Sequence, residues 1–257
     1  MDDKKIFDTF SNDNFTRDFT NGYVSEMGDS VTMINSYMAA FDSGGPENWT
    51  PEMRREFSDG VRKECCHIMQ TAELYSRIYD VTFSRELTRK PVNMKNFFDS
   101  FTDSVQKSLE GTCVIELKTG SEFFASTNQK LLTYILLLYI RSAVINGAVN
   151  IKLSYAVKGS DLVIETMIVK KSEELKNNYP DDDFFAKYQS NMNAAFVEKL
   201  GGEIRETKKS MIMIFPDAAS EKKSDLAMKE AHVEKCSSVC NAYNIMLSDL
   251  SDNLIFP

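Results

Sequence analysis

Histidine and cysteine side chains near the carboxyl end of the sequence have a spacing that suggests metal chemistry. His232, Cys236 and Cys240 follow at intervals of four residues, so a helix would place all three on one face. Zinc prefers such ligands, but a structural zinc site is tetrahedral and its ligands must converge on one ion. The outer two would lie about 12 Å apart along a straight helix. We therefore interpret all three as part of an apolar helix face, and a zinc site would need further ligands from elsewhere.

Other charged or nucleophilic side chains also suggest chemistry. The three aspartates at 181–183 could bind Mg²⁺, but an acidic first turn of a helix that begins at Phe184 explains them more simply. Lys170 and Lys171 could bind phosphate, although a solvent-exposed turn is the simpler interpretation. His67 lies beside two of the five cysteines, whose odd number and irregular spacing predict reduced thiols in a cytosolic protein.

The overall composition excludes several classes of function. The chain has 257 residues, of which 42% are hydrophobic and 26% charged, and its net charge is −8. General nucleic-acid binders and proteins that bind anionic membranes need clustered Lys and Arg, so we expect neither class. The longest apolar run, 131–140, is too short for the roughly 20 residues that span a bilayer, and no signal peptide is visible. We predict a cytoplasmic protein without a membrane partner.

Residues 16–78 have the apolar spacing of two long amphipathic helices. Apolar side chains recur at steps of three and four residues on both sides of a break at 42–46. Thr50 followed by Pro51 is a good N-cap and first turn for the second helix. One hairpin buries both apolar stripes poorly, so we expect two copies to form a four-helix bundle.

The rest of the chain alternates helix-type and strand-type patterns, which predicts an α+β protein whose hairpin is followed by an α/β sandwich. We predict a lead-in at 1–15, a helical hairpin domain at 16–90, a sandwich domain at 91–218 and a C-terminal amphipathic helix at 219–257. The predicted helices of the sandwich are 97–109, 129–145 and 184–200, and its predicted strands are 113–117, 122–125, 149–155, 162–169, 203–207 and 210–215. Residues 84–91 are predicted as a linker and 170–183 as irregular.

Several short motifs occur in order along residues 16–217. The stretch 19–37 runs from a Phe through Ser-Glu to a Tyr, 74–78 reads Leu-Tyr-Ser-Arg-Ile, 91–92 reads Pro-Val, and 200–204 reads Leu-Gly-Gly-Glu-Ile. Their order and spacing resemble the transmitter core of bacterial sensor histidine kinases. Such a core joins a dimerising hairpin to an ATP-binding domain of the gyrase, Hsp90, histidine kinase and MutL type. The resemblance implies that fold for this chain.

The residues that handle phosphate and ATP in that family are replaced here. The phosphoacceptor His falls on Ser25, and a hydroxyl needs an activating base to act as a nucleophile. The Asn that binds Mg²⁺ falls on Ser142, which could bind the ion only weakly. The glycine-rich lid falls on 187–193, which contain no glycine. The degenerate nucleotide-site positions are Leu138, Ser142, Ile168 and Lys170, the last two where the family has an Asp-x-Gly-x-Gly segment. The resemblance therefore implies a scaffold for which neither ATP nor Mg²⁺ is expected as a cofactor.

Three hypotheses about function follow. The first is a degenerate histidine-kinase-like signalling protein, a homodimer that contacts a response-regulator receiver domain, without catalytic residues or a metal site. In it Ser25 is a solvated side chain or a regulatory site that faces a partner. The second is a histidine phosphotransferase that uses His67, the one histidine of the hairpin. The third is a divergent ATP-binding sensor histidine kinase, with ATP and Mg²⁺ as cofactors.

Overall fold

A computed structural model describes residues 13–83, 88–118, 120–179, 184–220 and 241–250. The chain forms two compact units, Met1–Thr82 and Phe83–Pro257. None of the described helices combines the length and apolar character needed to cross a membrane. Some predicted features lie outside the described residues: most of the lead-in, the aspartates at 181–183, and His232, Cys236 and Cys240.

The first unit is a hairpin of two long helices, as the apolar spacing predicts. Helix α1 spans Asp13–Gly44 and helix α2 spans Pro51–Phe83, with a 3-10 turn at Pro46–Asn48 between them. The Thr50 hydroxyl accepts a hydrogen bond of 3.2 Å from the Met53 amide, so the predicted N-cap is present.

The two helices meet along a seam of aromatic and small side chains. Far from the loop, Tyr23 and Tyr75 pack with ring centroids 4.7 Å apart. Gly60 lets the Tyr37 ring approach so closely that a Cβ added at Gly60 would lie 2.5 Å from Tyr37 Cζ. Near the loop, three rings form a cluster with centroids 5.2 to 5.4 Å apart: Phe41, Trp49 and Phe57. The seam therefore depends on complementary shape as well as on apolar character.

The second unit is an α/β sandwich with two sheets. Its elements are β1 (Lys90–Asn93), α3 (Met94–Ser108), β2 (Val114–Lys118), β3 (Phe124–Thr127), α4 (Gln129–Ile145), β4 (Ala148–Lys158), β5 (Asp161–Lys171), α5 (Glu173–Lys176), α6 (Phe184–Lys199), β6 (Glu203–Glu206), β7 (Ser210–Phe215), β8 (Ala219–Ser220) and α7 (Ala242–Leu247). The larger sheet has the order β2-β4-β5-β7-β6 and the smaller one β1-β3-β8. Strands β2 and β4 run parallel and the other neighbours antiparallel, so the larger sheet is mixed and the smaller one is antiparallel.

The predicted apolar helix is the centre of the sandwich core. Almost every side chain of α4 from Leu131 to Ile145 is buried, with Ser142 as the exception. A helix that is apolar on all sides must be covered on all sides. Here β4, α6 and α7 pack against α4.

Three short elements differ from the sequence prediction. Strand β1 forms where a linker is predicted, and its Lys90 pairs with Thr127 of β3. Strand β8 pairs with β3 at the point where the C-terminal helix is predicted to begin. Helix α5 forms within a segment predicted as irregular, and the Ser172 side chain caps it. Elements of two to four residues are too short to show a periodic sequence pattern. They form because contacts with distant segments stabilise them, and such contacts cannot be read from the local sequence.

The described part of the C-terminal segment packs against α3 and α4 of the sandwich. It comprises α7 and a 3-10 turn at Ser248–Leu250, so the described residues hold a shorter helix than the predicted one. Arg141 of α4, only 2% exposed, donates hydrogen bonds of 2.7 and 2.8 Å to the Asp249 carboxylate. It donates a third, of 2.9 Å, to the Met246 carbonyl. A buried ion pair thus attaches this segment to the core.

Candidate functional site

The hairpin brings together two side chains that could handle a proton or a phosphoryl group. Glu26 of α1 and His67 of α2 face each other, with Glu26 Oε2 and His67 Nε2 only 2.7 Å apart. The two side chains are 34% and 24% exposed, so the pair remains accessible from solvent. Ser25, at the predicted phosphoacceptor position, is exposed next to Glu26.

The Glu26–His67 contact has a clear chemical consequence. A carboxylate that accepts a hydrogen bond from one imidazole nitrogen orients the ring and favours the tautomer in which the other nitrogen has a lone pair. A histidine uses that lone pair when it acts as a nucleophile or base. In the sequence Glu26 stands beside Ser25, and nothing local connects it with His67. The one available signal is that both residues lie at similar sequence distances from the hairpin loop, which predicts a similar height along the two helices. It does not predict whether their side chains face each other.

The sandwich brings the predicted positions Ser142 and Ile168 to the edge of one cleft. The cleft has a volume of about 370 Å³ and opens to solvent between α4, the end of β5, α6 and the β6–β7 turn. Its lining residues are Tyr139, Ser142, Ala143, Asn146, Ile168, Lys171, Gln189, Glu206, Thr207 and Lys208. Gln189 belongs to the segment predicted to replace the glycine-rich lid. The predicted nucleotide position is therefore an open cleft and not a filled core.

Two of the predicted positions lie elsewhere. Leu138 is 1% exposed and belongs to the core of the sandwich. Lys170 is exposed near the end of β5, and its neighbour Lys171 lines the cleft in its place. Alignment with a family motif identifies the right helix and strand. Which side chains point into the cleft depends on how these elements pack.

Charges of both signs line the cleft. Glu206 accepts hydrogen bonds of 3.2 Å from Gln189 Nε2 and of 2.8 Å from Ser190 Oγ, so its carboxylate is held against α6. Lys171 and Lys208 are the two lysines of the lining. Burial raises the pKa of Tyr139 to about 12, so its hydroxyl stays protonated at neutral pH.

The described cysteines are free thiols with different surroundings. Cys66 and Cys113 are buried, and Cys65 is exposed on α2. Burial raises the pKa of Cys113 to about 12, which makes this thiol a poor nucleophile. Across the described ranges, no three His, Cys, Asp or Glu side chains are grouped so that they could hold a metal ion.

The fold is similar to that of two solved histidine kinase structures. The Acinetobacter baumannii histidine kinase AdeS aligns with a TM-score of 0.50 and 12% identity over 72% of this chain and 94% of that chain. The histidine kinase ThkA, solved in complex with the response regulator protein TrrA, aligns with a TM-score of 0.55 and 13% identity over 82% of this chain and 65% of that chain. The sequence matches no family model and no curated protein.

These likenesses concern the fold. A helical hairpin followed by this α/β sandwich is the fold of a histidine kinase transmitter core, as the sequence motifs imply. One fold can support different activities, so the function has to be argued from the side chains at the two candidate sites.

Proposed function

We propose that this chain, whose fold is that of a histidine kinase transmitter core, is a catalytically degenerate signalling protein. It acts through protein–protein contacts in two-component phosphorelay signalling and does not phosphorylate itself from ATP. Its hairpin forms a homodimer, and a response-regulator receiver domain is its partner.

The chemistry of the cleft carries this proposal. Ser142 and Ile168 line it at positions where the family has an Asn for Mg²⁺ and a segment with an Asp for the adenine amino group. An isoleucine side chain offers no hydrogen bond, and a serine hydroxyl is a weak ligand for Mg²⁺. The carboxylate that is present, Glu206, comes from a different strand and already accepts two hydrogen bonds from α6. The cleft thus has the place of a nucleotide site without its binding groups.

The outer face of the hairpin supports a homodimer. On α1, Val24, Val31 and Met38 stand seven residues apart and are 61%, 47% and 46% exposed. Steps of seven place them on one line along the helix, as in a coiled-coil seam. On the other helix, α2, the Tyr79 side chain is 56% exposed. A second copy would remove this apolar surface from water and complete a four-helix bundle.

The likeness to ThkA supports a receiver domain as partner, because that kinase is solved in complex with a response regulator. In this chain the exposed Ser25 and the accessible Glu26–His67 pair lie on the hairpin, where such a partner would bind. A receiver could use this surface without any chemistry in the sandwich.

Calorimetry with Mg²⁺-ATP tests the proposed loss of kinase activity. We expect no saturable binding in the micromolar range and no label on the chain after incubation with radiolabelled ATP. An active histidine kinase treated in parallel controls for the assay. Transfer of label from ATP to this chain would contradict the proposal.

A second candidate function is a histidine phosphotransferase, and the Glu26–His67 contact favours it. A phosphorylated receiver carries an acyl phosphate on an aspartate. Attack by a ring nitrogen of His67 would form a P–N bond and break the P–O bond, which returns the carboxylate to the receiver. Glu26 would stabilise the positive charge that the ring gains.

Two substitutions test this candidate with a phosphorylated receiver as donor. His67→Ala should abolish transfer of label to the chain. Glu26→Gln keeps the nucleophile and should slow the transfer by about 100-fold, near the lower end of what a positioned acid or base contributes. The phosphotransferase candidate is rejected if label still reaches the His67→Ala variant.

A third candidate, a divergent ATP-binding sensor histidine kinase, is favoured by the openness of the cleft. A volume of about 370 Å³ lies within the range of roughly 300–1,000 Å³ found for small-molecule sites. The Mg²⁺-ATP titration separates this candidate from the other two, because it alone requires tight nucleotide binding.

A further inference from the structure

The loop end of the hairpin contains a cavity that the proposed function does not use. Its volume is about 440 Å³, within the range of roughly 300–1,000 Å³ found for small-molecule sites. Its lining residues are Phe41, Glu47, Trp49, Arg54 and Phe57. All five belong to the first compact unit, so the hairpin forms this cavity by itself.

Three aromatic rings form the wall of the cavity, and their planes meet in a corner. Phe41 and Phe57 are stacked with their planes 30° apart. The Trp49 indole stands at 84° to the first of these rings and at 67° to the second. All three residues are only partly buried, so part of the wall faces solvent. A ligand ring in such a corner could stack on one side chain and meet another edge to face, the two arrangements that aromatic pairs prefer.

The loop sequence holds the indole at this corner. A Cβ added at Gly44 would lie 3.0 Å from Trp49 Nε1, so the absence of a side chain lets the indole lie close to the end of α1. The next residue, Gly45, has φ of +59°, a conformation that glycine adopts without strain. The position of Trp49 therefore depends on the conformation of the loop.

Two side chains of opposite charge stand beside the rings. Glu47 and Arg54 are exposed and belong to the lining. Within the described part of the chain, the Glu47 carboxylate forms no ion pair. A guanidinium has five N–H donors, so Arg54 can bind a carboxylate in addition to the contacts that it already makes. The cavity thus offers an acceptor for a cation and donors for an anion, next to an aromatic wall.

We propose that this cavity binds an aromatic α-amino acid, a small zwitterion whose side chain carries a ring. The ring lies in the corner of Phe41, Trp49 and Phe57. The ammonium group binds Glu47, and the carboxylate binds Arg54. Arg54 would repel a simple cation and Glu47 a simple anion, whereas a zwitterion is complementary to both. The inference goes beyond the proposed function, because this site requires neither ATP nor a receiver.

Titration of the full chain with L-phenylalanine tests the proposal. The fluorescence of Trp49, the single tryptophan of the chain, is the readout. We expect a saturable change, because the ligand ring would contact the indole. Two analogues each lack one charge: phenethylamine has no carboxylate, and 3-phenylpropanoate has no ammonium group. Each should bind at least about tenfold more weakly than phenylalanine, because one charge-assisted contact is lost.

Two substitutions assign each charge of the ligand to its partner. Glu47→Gln should weaken the binding of phenylalanine by at least about tenfold and should not weaken that of 3-phenylpropanoate. Arg54→Gln should do the same to phenylalanine and should not weaken the binding of phenethylamine. Glu52→Gln and Arg55→Gln are the matched controls, since both residues are exposed on α2 outside the lining, and they should leave all affinities unchanged.

Three results would overturn the inference. The first is the absence of a saturable change in Trp49 fluorescence, and the second is an affinity for either analogue that equals the affinity for phenylalanine. The third is a loss of binding in the control variants as large as in Glu47→Gln and Arg54→Gln. A second copy of the chain is the competing occupant of the rings. In that case Trp49 fluorescence would change with protein concentration and phenylalanine would have no effect, which is the first of these results.

Discussion

The hairpin and the sandwich bury their apolar side chains to very different extents. Among the described residues, ten of the eleven largest fully buried side chains belong to the sandwich, and Leu74 is the one from the hairpin. Conversely, seven of the ten exposed large hydrophobic side chains belong to the hairpin. The sandwich has a closed core of its own, whereas the hairpin keeps an apolar face in water.

This difference indicates how the two units are stabilised. The sandwich surrounds α4 with a sheet on one side and helices on the other, and the C-terminal segment completes that cover. Two antiparallel helices have no third layer, so each can bury only the stripe that faces its neighbour. We infer that intrachain packing stabilises the sandwich and that a second copy stabilises the hairpin.

Replacing Arg141 with Met should have the largest effect and should affect the sandwich alone. It removes the two hydrogen bonds that Arg141 donates to the Asp249 carboxylate, whose side chain is 14% exposed. Breaking a buried pair in this way costs about 3–5 kcal/mol. Hydrogen exchange of α3, α4 and α7 measures the loss, while the fluorescence of Trp49, the single tryptophan of the chain, reports on the hairpin.

The double variant Arg141→Met/Asp249→Leu serves as the control, because it removes both charges and should recover most of the stability. If both units lost stability equally in Arg141→Met, or if neither did, the Arg141–Asp249 pair would not be what stabilises the sandwich.

Placing charges on the outer face of the hairpin should have the next largest effect. The variant Val31→Glu/Met38→Glu would bury unpaired carboxylates between two copies. We expect the dissociation constant of the dimer to rise by at least about 100-fold, which corresponds to about 2.8 kcal/mol. Analytical ultracentrifugation over a range of concentrations measures it.

Val114→Glu/Val169→Glu is the matched control for this variant, since these two sandwich side chains are 51% and 52% exposed. It should leave the dimer unchanged. A native chain that is monomeric at every concentration, or an equal effect of the control, would show that the hairpin face is not the dimer interface.

Two glycine substitutions give the smallest effects, of opposite sign. Gly60→Ala places a Cβ 2.5 Å from the Tyr37 ring, and overpacking outweighs the better helix propensity by about 1 kcal/mol. Gly28→Ala on α1 meets no atom within 4 Å and should stabilise the hairpin by about 0.5–1 kcal/mol. Urea unfolding followed by Trp49 fluorescence measures both. If both variants were more stable, the contact between Tyr37 and Gly60 would not limit the packing of the seam.

Much of the fold is predictable from local patterns. The helix predicted at 129–145 is α4 without a shift of either end, and the strands predicted at 149–155 and 162–169 lie within β4 and β5. Periods of 3.6 and 2 residues and turn residues are properties of neighbouring positions, so the sequence displays them directly. Strands β1 and β8 are missed because pairing with β3 decides them.

The candidate sites are predictable only in part, for a related reason. Alignment with the family motifs assigns both Ser142 and Ile168 to the nucleotide site, and in the structure both line one cleft. Lys208 and Glu206, which with Lys171 give this cleft its charge, come from a turn and the end of a strand, outside the residues that the motifs cover. Whether the space between such elements is filled or open depends on the packing of several helices and strands.

The sequence by itself determined the longer helices and strands, their order and the break between the two long helices. These are matters of residue identity and spacing along the chain. Only the tertiary structure decided that Glu26 meets His67, that Arg141 binds Asp249 and that an open cleft lies beside Ser142 and Ile168. Such contacts join residues many positions apart, and their geometry depends on helix rotation and strand register, which only the packing of the whole unit determines.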